Sequence, residues 1–493
     1  MSSATAQIGI SQPYLYKGTD KLLLGIVLAV VNFWMFAQTT LNVAPVMRAD
    51  LQIAESINNI AVSITALFSG IFIVVAGGLA DRLGRVRLTY IGLGLSVIGS
   101  FLIAATPTGT AVFLMAGRII QGISAACIMP ATLALVKAYY DGKDRQRAVS
   151  YWSIGSWGGS GVCALFGGLV ASTIGWRWIF WMAIAVAIIS YLLIRGTPES
   201  KAETTPETAS RPFDWPGLIT FIIAMVGFNV IIGQGAELGW TSTPVIALAV
   251  VTLIAAVAFF RIESTSPNAF VDFKLFRNST YSGATLSNFL LNGAAGTLLV
   301  TLSLVQTGAS LTSLQSGLMT VGYLVAILAT IRVGEKLLQL WGPRKPMVLG
   351  CAITGLGILL TTATFLMVGQ YVIISFIGFT LFGIGLGFYA TPSTDAALSN
   401  VPEEVAGAAS GLYKMASSLG AAFGVSISAA IFLALSNTPS FGPFADVAMG
   451  RTDNVDLRFA GSVALYFNVF MVVVAILAIM MTVPKGGGQR DAS

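Results

Sequence analysis

The 493-residue sequence contains no histidine. Histidine proton relays and histidine metal sites are therefore excluded, and a proton must be carried by a carboxylate or by a group close to one. Cysteine is rare as well, with only Cys127, Cys163 and Cys351. All three lie inside apolar runs, where cysteine behaves as a small apolar residue rather than as a disulfide partner or metal ligand. The cysteines therefore indicate no redox function.

Charge is also scarce, since charged residues form 10% of the chain, hydrophobic residues form 55% and the mean hydropathy is +0.82. A soluble protein of this length is far less apolar. A helix needs about 20 apolar residues to cross a hydrocarbon core of about 30 Å, and runs of that kind fill most of the chain. The first twenty residues lack the regions of a signal peptide, so the first span is expected to direct membrane insertion.

The apolar runs predict an all-α integral membrane protein with fourteen transmembrane helices. The predicted spans are 22–46, 58–80, 88–106, 110–139, 146–171, 177–195, 214–234, 243–262, 279–306, 312–333, 346–365, 370–398, 405–434 and 459–483.

Lysine and arginine are distributed unequally between the predicted loops. With the N-terminus inside, 21 of the 27 lie on the cytoplasmic side and four lie outside. This bias predicts that both termini are cytoplasmic. The net charge of +6 then reflects membrane topology, and we expect no nucleic-acid partner.

Two polar segments divide the spans into a 6+2+6 plan. A proline-containing linker precedes two additional helices, and a connector with helix-like spacing of apolar and charged residues follows them. The predicted domains are an N-terminal six-helix bundle at 1–195, a loose cytoplasmic linker at 196–213, two additional helices at 214–262, an amphipathic connector at 263–278, a C-terminal six-helix bundle at 279–483 that contains the extracellular loop 435–457, and a cytoplasmic tail at 484–493.

The most informative loop is GGLADRLGRVRL at residues 77–88, between spans 2 and 3. Its glycines permit tight turns and close helix approach. Asp81, Arg82 and Arg85 are suited to hold one arrangement of the helices through charge pairs and helix ends. The loop therefore predicts a gate latch, although a motif that only fixes membrane topology is an equal alternative.

This loop resembles the signature of the major facilitator superfamily. RIIQG at 118–122 resembles the superfamily's buried-arginine motif, and GEKLLQLWGPRK at 334–345 is a degenerate second copy of the loop, as an internally repeated transporter would have. The 6+2+6 plan resembles the fourteen-span drug:proton antiporters. SYWSIGSWGGSG, DFKLFRN and YATPSTDAALSN most resemble the staphylococcal Nor quinolone efflux pumps.

The resemblance implies a major facilitator fold of two pseudo-symmetric six-helix bundles. It also implies proton-coupled multidrug efflux by alternating access, with export of amphiphilic drugs such as quinolones across the bacterial inner membrane. An exporter or facilitator of an endogenous metabolite or lipid precursor would carry the same motifs. We expect a monomer without cofactor or metal. An enzyme is disfavoured because no nucleophile with a base, metal-ligand cluster or P-loop is present.

Among the charged residues inside predicted spans, Arg118, Asp395 and Lys414 are the functional candidates, because a charge in a span costs a few kcal/mol or more and is rarely incidental. Arg118 has no acid in its own span, so it needs polar acceptors, and Gln38, Asn42 or Gln121 are the predicted ones. The resemblance implies that Arg118 lies near the proton and substrate path. The alternative is a structural arginine that snorkels or is capped by carbonyls. Asp395 and Lys414 lie in spans 12 and 13, where the ammonium is predicted to reach toward the carboxylate. Protonation of Asp395 would then weaken the pair and favour one gate state. The alternative is that Asp395 only borders a helix end.

The sequence also departs from the family pattern. Many fourteen-span relatives have an aspartate in span 1 where this chain has Ala37, and some have an acid where it has Lys414. A pump for cations benefits from buried carboxylates, so these changes favour zwitterionic, neutral or anionic amphiphiles over dicationic dyes.

The substrate pocket of a facilitator lies between its halves near the bilayer midplane, with apolar walls and a few polar groups. Polar and aromatic residues on the inner halves of the spans are therefore the predicted substrate-binding residues. They are Asn32, Trp34, Gln38, Asn42, Asn288, Asn292, Gln306, Tyr389 and Tyr413.

Span 5 contains the string WGGSGVCALFGG at 157–168. A dinucleotide-binding loop is excluded because the string lies inside an apolar span and the next acid is Glu199. Small residues instead let neighbouring helices pack closely. Gly155, Gly159, Gly167 and Gly168 are therefore predicted to form a packing and hinge surface. Antiporters of the superfamily have a Gly-Pro in this span that is missing here, so the glycines must supply any flexibility.

Overall fold

The computed structural model describes residues 16–37, 39–53, 55–201, 214–239, 241–266, 269, 273–311, 313–436 and 453–485. Within these ranges helices are the only regular secondary structure, which confirms the all-α prediction. Helices are the expected choice because a backbone in lipid must satisfy its polar groups internally.

The helices fall into three consecutive groups along the chain. The first group consists of α1 Asp20–Val31, α2 Thr40–Leu51, α3 Glu55–Leu83, α4 Arg85–Ala104, α5 Val112–Tyr139, α6 Gly142–Ser153, α7 Gly159–Thr173 and α8 Arg177–Ile194. The second consists of α9 Trp215–Leu238 and α10 Thr243–Thr265. The third consists of α11 Ser279–Gly293, α12 Gly296–Thr307, α13 Ser313–Met319, α14 Val321–Trp341, α15 Arg344–Thr361, α16 Val368–Ser399, α17 Ala406–Ser436 and α18 Val455–Thr482.

Twelve helical stretches in the described ranges are long and apolar enough to cross a membrane. The apolar part of α9, Trp215–Phe228, is shorter than these twelve. Many large apolar side chains on these helices are exposed, for example Leu253 at 66% and Ile254 at 64%. Such a surface is suited to lipid.

Several helices begin at a capping side chain. The Thr19 hydroxyl accepts a hydrogen bond from the Leu22 amide at 3.2 Å, and Asp214 accepts one from the Gly217 amide at 2.8 Å. Such caps satisfy amides that have no partner inside the helix. The residues next to the starts of α1 and α9 therefore determine where these helices begin.

Span 1 is less regular than predicted. Instead of one helix over 22–46, α1 continues into a π-helical segment, Asn32–Ala37, and α2 then begins at Thr40. In predicted span 5 a second π-helical segment, Ile154–Gly158, joins α6 to α7. The wider π turn is rare and often occurs at functional sites. The two segments contact each other.

The connector at 263–278 also differs from the prediction. The helix α10 continues to Thr265, and a separate 3-10 helix, Phe273–Arg277, precedes α11. In this short helix Leu275 is buried while Lys274 and Arg277 are exposed. The described parts thus keep the amphipathic pattern without forming one continuous helix. Most of the predicted loop 435–457, the tail and linker residues 202–213 lie outside the described residues.

The two additional helices lie beside the seam between the first and third groups. Besides packing on α10, α9 contacts both α3 and α17. Its Phe228 ring lies 4.2 Å, centre to centre, from the ring of Phe423 on α17. The α9–α10 pair is therefore attached to both groups.

Candidate functional site

The first and third groups of helices meet at one end of the bundle, where the predicted latch lies. The Asp81 carboxylate, near the end of α3, accepts hydrogen bonds from the backbone amides of Gly407 and Ala408, both at 2.9 Å. These amides belong to the first turn of α17, where the helix dipole favours a negative charge. Asp81 thus links the two groups directly.

Two glycines permit this approach. A Cβ atom on Gly77 would lie 3.0 Å from the Gly407 carbonyl carbon, and one on Gly407 would lie 2.8 Å from an Asp81 carboxylate oxygen. Any larger side chain would push α3 and α17 apart.

Arg85, at the start of α4, is fully buried beside Asp81. Its Nη2 donates to Asp81 Oδ1 at 3.0 Å, and its guanidinium also contacts the backbone carbonyl and the carboxylate of Glu403, the latter at 3.5 Å. Arg82 is exposed. The structure therefore brings Asp81 and Arg85 into one cluster across the seam and leaves Arg82 outside it.

A second set of contacts at this end joins α5 and α6 to α16. The Lys137 ammonium donates to the Leu398 carbonyl at 2.7 Å. Arg145 lies 3.3 Å from an Asp395 carboxylate oxygen and donates to the Ser399 hydroxyl at 2.8 Å. These positive side chains from the first group bind the C-terminal end of α16. Free carbonyls and the helix dipole favour a positive charge at that end.

The predicted contact between Asp395 and Lys414 is wrong in this structure. Asp395 pairs with Arg145 because it faces α6 at the end of the bundle. Lys414 contacts α6 and the second π-helical segment. Its ammonium lies 4.4 Å from the centre of the Trp152 ring and 3.5 Å from the Ser156 hydroxyl. Lys414 is 5% exposed, and the described residues offer it no carboxylate within ion-pair distance.

Arg118 is buried inside the first group. Its guanidinium donates to the Ala37 carbonyl at 2.7 Å, the Ala61 carbonyl at 2.9 Å and the Gln121 side-chain oxygen at 2.9 Å. Of the acceptors predicted from sequence, Gln121 is used, and backbone carbonyls supply others. Arg118 therefore joins α5 to α3 and to the last residue of the first π-helical segment.

The two predicted substrate-binding tyrosines belong to a buried network inside the third group. The Tyr389 hydroxyl lies 2.7 Å from the Ser287 hydroxyl and accepts a hydrogen bond from Ser393 at 2.9 Å. The Tyr413 hydroxyl lies 2.9 Å from Ser393 as well. At 0% and 3% exposure, the two tyrosines connect α11, α16 and α17.

Asn288 and Asn292 extend this network between α11 and α17. The Asn288 amide donates to the Tyr413 carbonyl at 3.0 Å and to the Ser417 hydroxyl at 2.7 Å. The Asn292 amide donates to Asn288 Oδ1 at 2.9 Å. The structure thus brings together four of the nine predicted residues.

The other predicted substrate-binding residues lie apart from this network. Asn32 donates to the Ala183 carbonyl at 2.7 Å within the first group, and Gln306 donates to Ser316 at 2.7 Å between α12 and α13. Trp34 has a buried indole nitrogen without a hydrogen-bond partner among the described residues. Gln38 and the side chain of Asn42 lie outside the described residues. No single pocket therefore contains all the described candidates.

Three of the four predicted glycines in span 5 face span 1. A Cβ atom on Gly155 would lie 3.2 Å from the Val27 carbonyl oxygen, and one on Gly159 would lie 3.0 Å from Trp34 Cβ. One on Gly167 would lie 3.4 Å from Val43 and closer still to Thr39. Gly168 is exposed, with open space around it.

Sequence reasoning missed Arg145, Glu403 and Trp152. Arg145 lies in a predicted loop with several charges, and no local feature distinguishes it as the partner of Asp395. Glu403 could have been found from the sequence, because Pro402-Glu403-Glu404 ends one residue before the start of α17. Acids at that position are typical of a helix N-terminus.

Asp81 on the start of α17, the close contact of Gly77 with Gly407 and the buried Arg85 thus join the first and third groups of helices. The sequence profile of the Major Facilitator Superfamily matches residues 22–234 and 216–425. The chain therefore belongs to this superfamily of membrane transporters, which confirms the predicted class. It is a transporter and not an enzyme.

The chain is 48% identical over 470 residues to the quinolone resistance protein NorB of Staphylococcus aureus strain MRSA252, covering 95% of this chain and 97% of that protein. NorB of strain MSSA476 gives the same values. This confirms the predicted relationship to the staphylococcal Nor pumps.

Solved structures share the fold. The proton:xylose symporter XylE has a TM-score of 0.64 and 15% identity, over 95% of this chain and 97% of that one. A bacterial homologue of the iron transporter ferroportin, in an outward-facing state, has a TM-score of 0.60 and 13% identity, over 94% and 98%. At these identities the likeness concerns the fold alone.

Proposed function

We propose that the protein exports amphiphilic drugs such as quinolones across the bacterial inner membrane in exchange for protons. The observation that carries the proposal is the 48% identity to the quinolone resistance protein NorB over 95% of the chain. The latch between α3 and α17 supports an alternating-access cycle, because its hydrogen bonds must break before that end can open.

The proposed topology has fourteen spans in the 6+2+6 plan, with the domain boundaries predicted from the sequence. Twelve apolar helical stretches support it, and α9 and the helix formed by α6, the second π-helical segment and α7 are the remaining two. With 21 of 27 basic residues on one side, we place both termini in the cytoplasm. The latch is then a cytoplasmic gate, closed in this structure, of a transporter that acts as a monomer.

We assign the pair formed by Arg145 and Asp395 to proton coupling. The pair joins α6 to α16 across the gate. Protonation of the carboxylate removes its charge, so the attraction to Arg145 weakens and opening of the cytoplasmic end becomes easier. Asp395 keeps its predicted role, with Arg145 in place of Lys414 as its partner.

We assign Lys414 to substrate recognition. Its ammonium is buried between the two groups and is held by the Trp152 ring and the Ser156 hydroxyl rather than by an acid. A carboxylate on a zwitterionic or anionic drug would supply the missing counter-charge, and a charge-assisted hydrogen bond of this kind is stronger than a neutral one. Arg118 holds the π-helical segment of span 1 in place beside this site.

The test uses everted membrane vesicles that contain the protein and a pH-sensitive dye. Norfloxacin added after a proton gradient has formed should collapse the gradient, whereas vesicles without the protein should not respond. Export of norfloxacin that is independent of the gradient would contradict antiport. A gradient that norfloxacin leaves intact would favour export of an endogenous solute.

A further inference from the structure

Residues 199 and 200 of the linker that follows α8 are bound to the latch loop, residues 77–88. The composition of the linker had predicted a loose segment. The Glu199 carboxylate accepts hydrogen bonds from the backbone amides of Val86 at 2.8 Å and Arg87 at 2.9 Å. The Ser200 carbonyl accepts one from the Arg85 amide at 2.8 Å. Residues 199 and 200 therefore satisfy the first three amides of α4, which otherwise lack partners inside the helix.

The same segment holds the Arg85 side chain. The Ser200 hydroxyl accepts a hydrogen bond from Arg85 Nη1 at 2.9 Å, and the Tyr139 hydroxyl donates to the Pro198 carbonyl. The guanidinium of Arg85 is thus held on one side by Ser200 and reaches across the seam to Glu403 on the other. Its direction depends on the linker as well as on Asp81.

Gly84 permits this docking. Its φ of +115° is one that other residues rarely adopt, and a Cβ atom there would lie 2.7 Å from both carboxylate oxygens of Glu199. The glycine of the loop therefore leaves room for a carboxylate from the linker in addition to allowing a turn.

We propose that Glu199 and Ser200 are positioning residues of the gate, which keep the start of α4 ordered and Arg85 aimed at Glu403. The proposal rests on the proposed function, in that the latch must be a gate that opens during transport.

The test measures how often the gate opens. Val74, buried where α3 meets Gly411, is replaced by cysteine in a protein whose three native cysteines are changed to alanine. The rate of maleimide labelling in nanodiscs is then compared among otherwise identical proteins with Glu199→Gln, Asp81→Asn or Lys201→Gln. Lys201→Gln is the matched control because it removes an exposed charge from the same segment.

Glu199→Gln should raise the labelling rate at least about threefold, because glutamine offers one neutral oxygen to the two amides that the carboxylate binds. Lys201→Gln should label at the parent rate, and thermal unfolding should show that each protein is folded. In an Arg85→Ala protein, Glu199→Gln should add little, since Glu199 acts by positioning the side chain that Arg85→Ala removes. Parental labelling of Glu199→Gln alongside faster labelling of Asp81→Asn would overturn the role of Glu199 and leave the gate intact. Parental labelling of Asp81→Asn would overturn the gate itself.

Discussion

The ammonium of Lys414 lies 4.4 Å from the centre of the Trp152 ring, with one residue supplied by each group of helices. Cation–π contacts are worth up to about 2 kcal/mol when they are shielded from water. The contact is therefore strong enough to hold the side chain in place and weak enough for a carboxylate to compete with it.

Replacement of Lys414 by methionine should preserve packing and remove the charge. We expect the KM for norfloxacin to rise about tenfold to a hundredfold, which corresponds to a lost charge-assisted hydrogen bond of about 1.5–3 kcal/mol. Transport assays in proteoliposomes measure this change. A neutral amphiphile without a carboxylate is the control substrate, and an equal loss for both substrates would contradict recognition through the carboxylate.

Replacement of Asp395 by asparagine should keep the packing at the end of α16 while removing the titratable group. Because asparagine cannot gain or lose the proton, the pH dependence of export should flatten rather than shift. Initial rates measured over a pH series test this expectation. Arg145→Lys keeps the positive charge, so its export should show the same pH dependence as that of the parent protein. Export by Asp395→Asn with an unchanged pH profile would exclude Asp395 as the coupling group.

Replacement of Asp81 by asparagine leaves only one oxygen for the two amides at the start of α17. A buried amide without its partner costs about 1–3 kcal/mol, so the gate should open more often and export should fall. Arg82→Gln is the matched control, since Arg82 is exposed beside the cluster. Equal transport by the parent, Asp81→Asn and Arg82→Gln would favour the alternative that the loop only fixes topology.

The span 5 glycines offer a comparison within one helix. Leucine at Gly159 or Gly167 would overlap span 1, and forcing bulk into a packed contact costs about 1–3 kcal/mol. We expect both variants to reach the membrane and to transport poorly. Gly168→Leu faces open space and should transport normally. Normal transport by all three variants would mean that close packing in span 5 is not needed.

The sequence predicts much of this molecule because membrane helices require long apolar runs and the latch is a local motif. Asp81 and Arg85 lie in one loop four residues apart, so their chemistry is readable without knowledge of the fold. Arg145 and Asp395 are 250 residues apart, and only the packing of α6 on α16 brings them together. Nothing in the local sequence predicts that contact.

The substrate-binding residues were harder to predict than the latch, and the reason differs from that for the contact between Arg145 and Asp395. Polar side chains in membrane helices bond with one another wherever packing permits. Tyr389 and Asn288 do this within the third group, so polarity inside a span did not distinguish internal structure from a binding surface. The π-helical segments were also missed, since hydropathy is insensitive to one extra residue in a turn.

Those two π-helical segments have a mechanical consequence. A π turn interrupts the regular ladder of backbone hydrogen bonds, and here the interruptions in spans 1 and 5 lie side by side. Gly155 and Gly159 keep the two backbones in near contact, so a bend in one helix displaces the other. Neither π-helical segment contains a proline. We therefore expect spans 1 and 5 to bend together during each transport cycle and to return to the same shape afterwards.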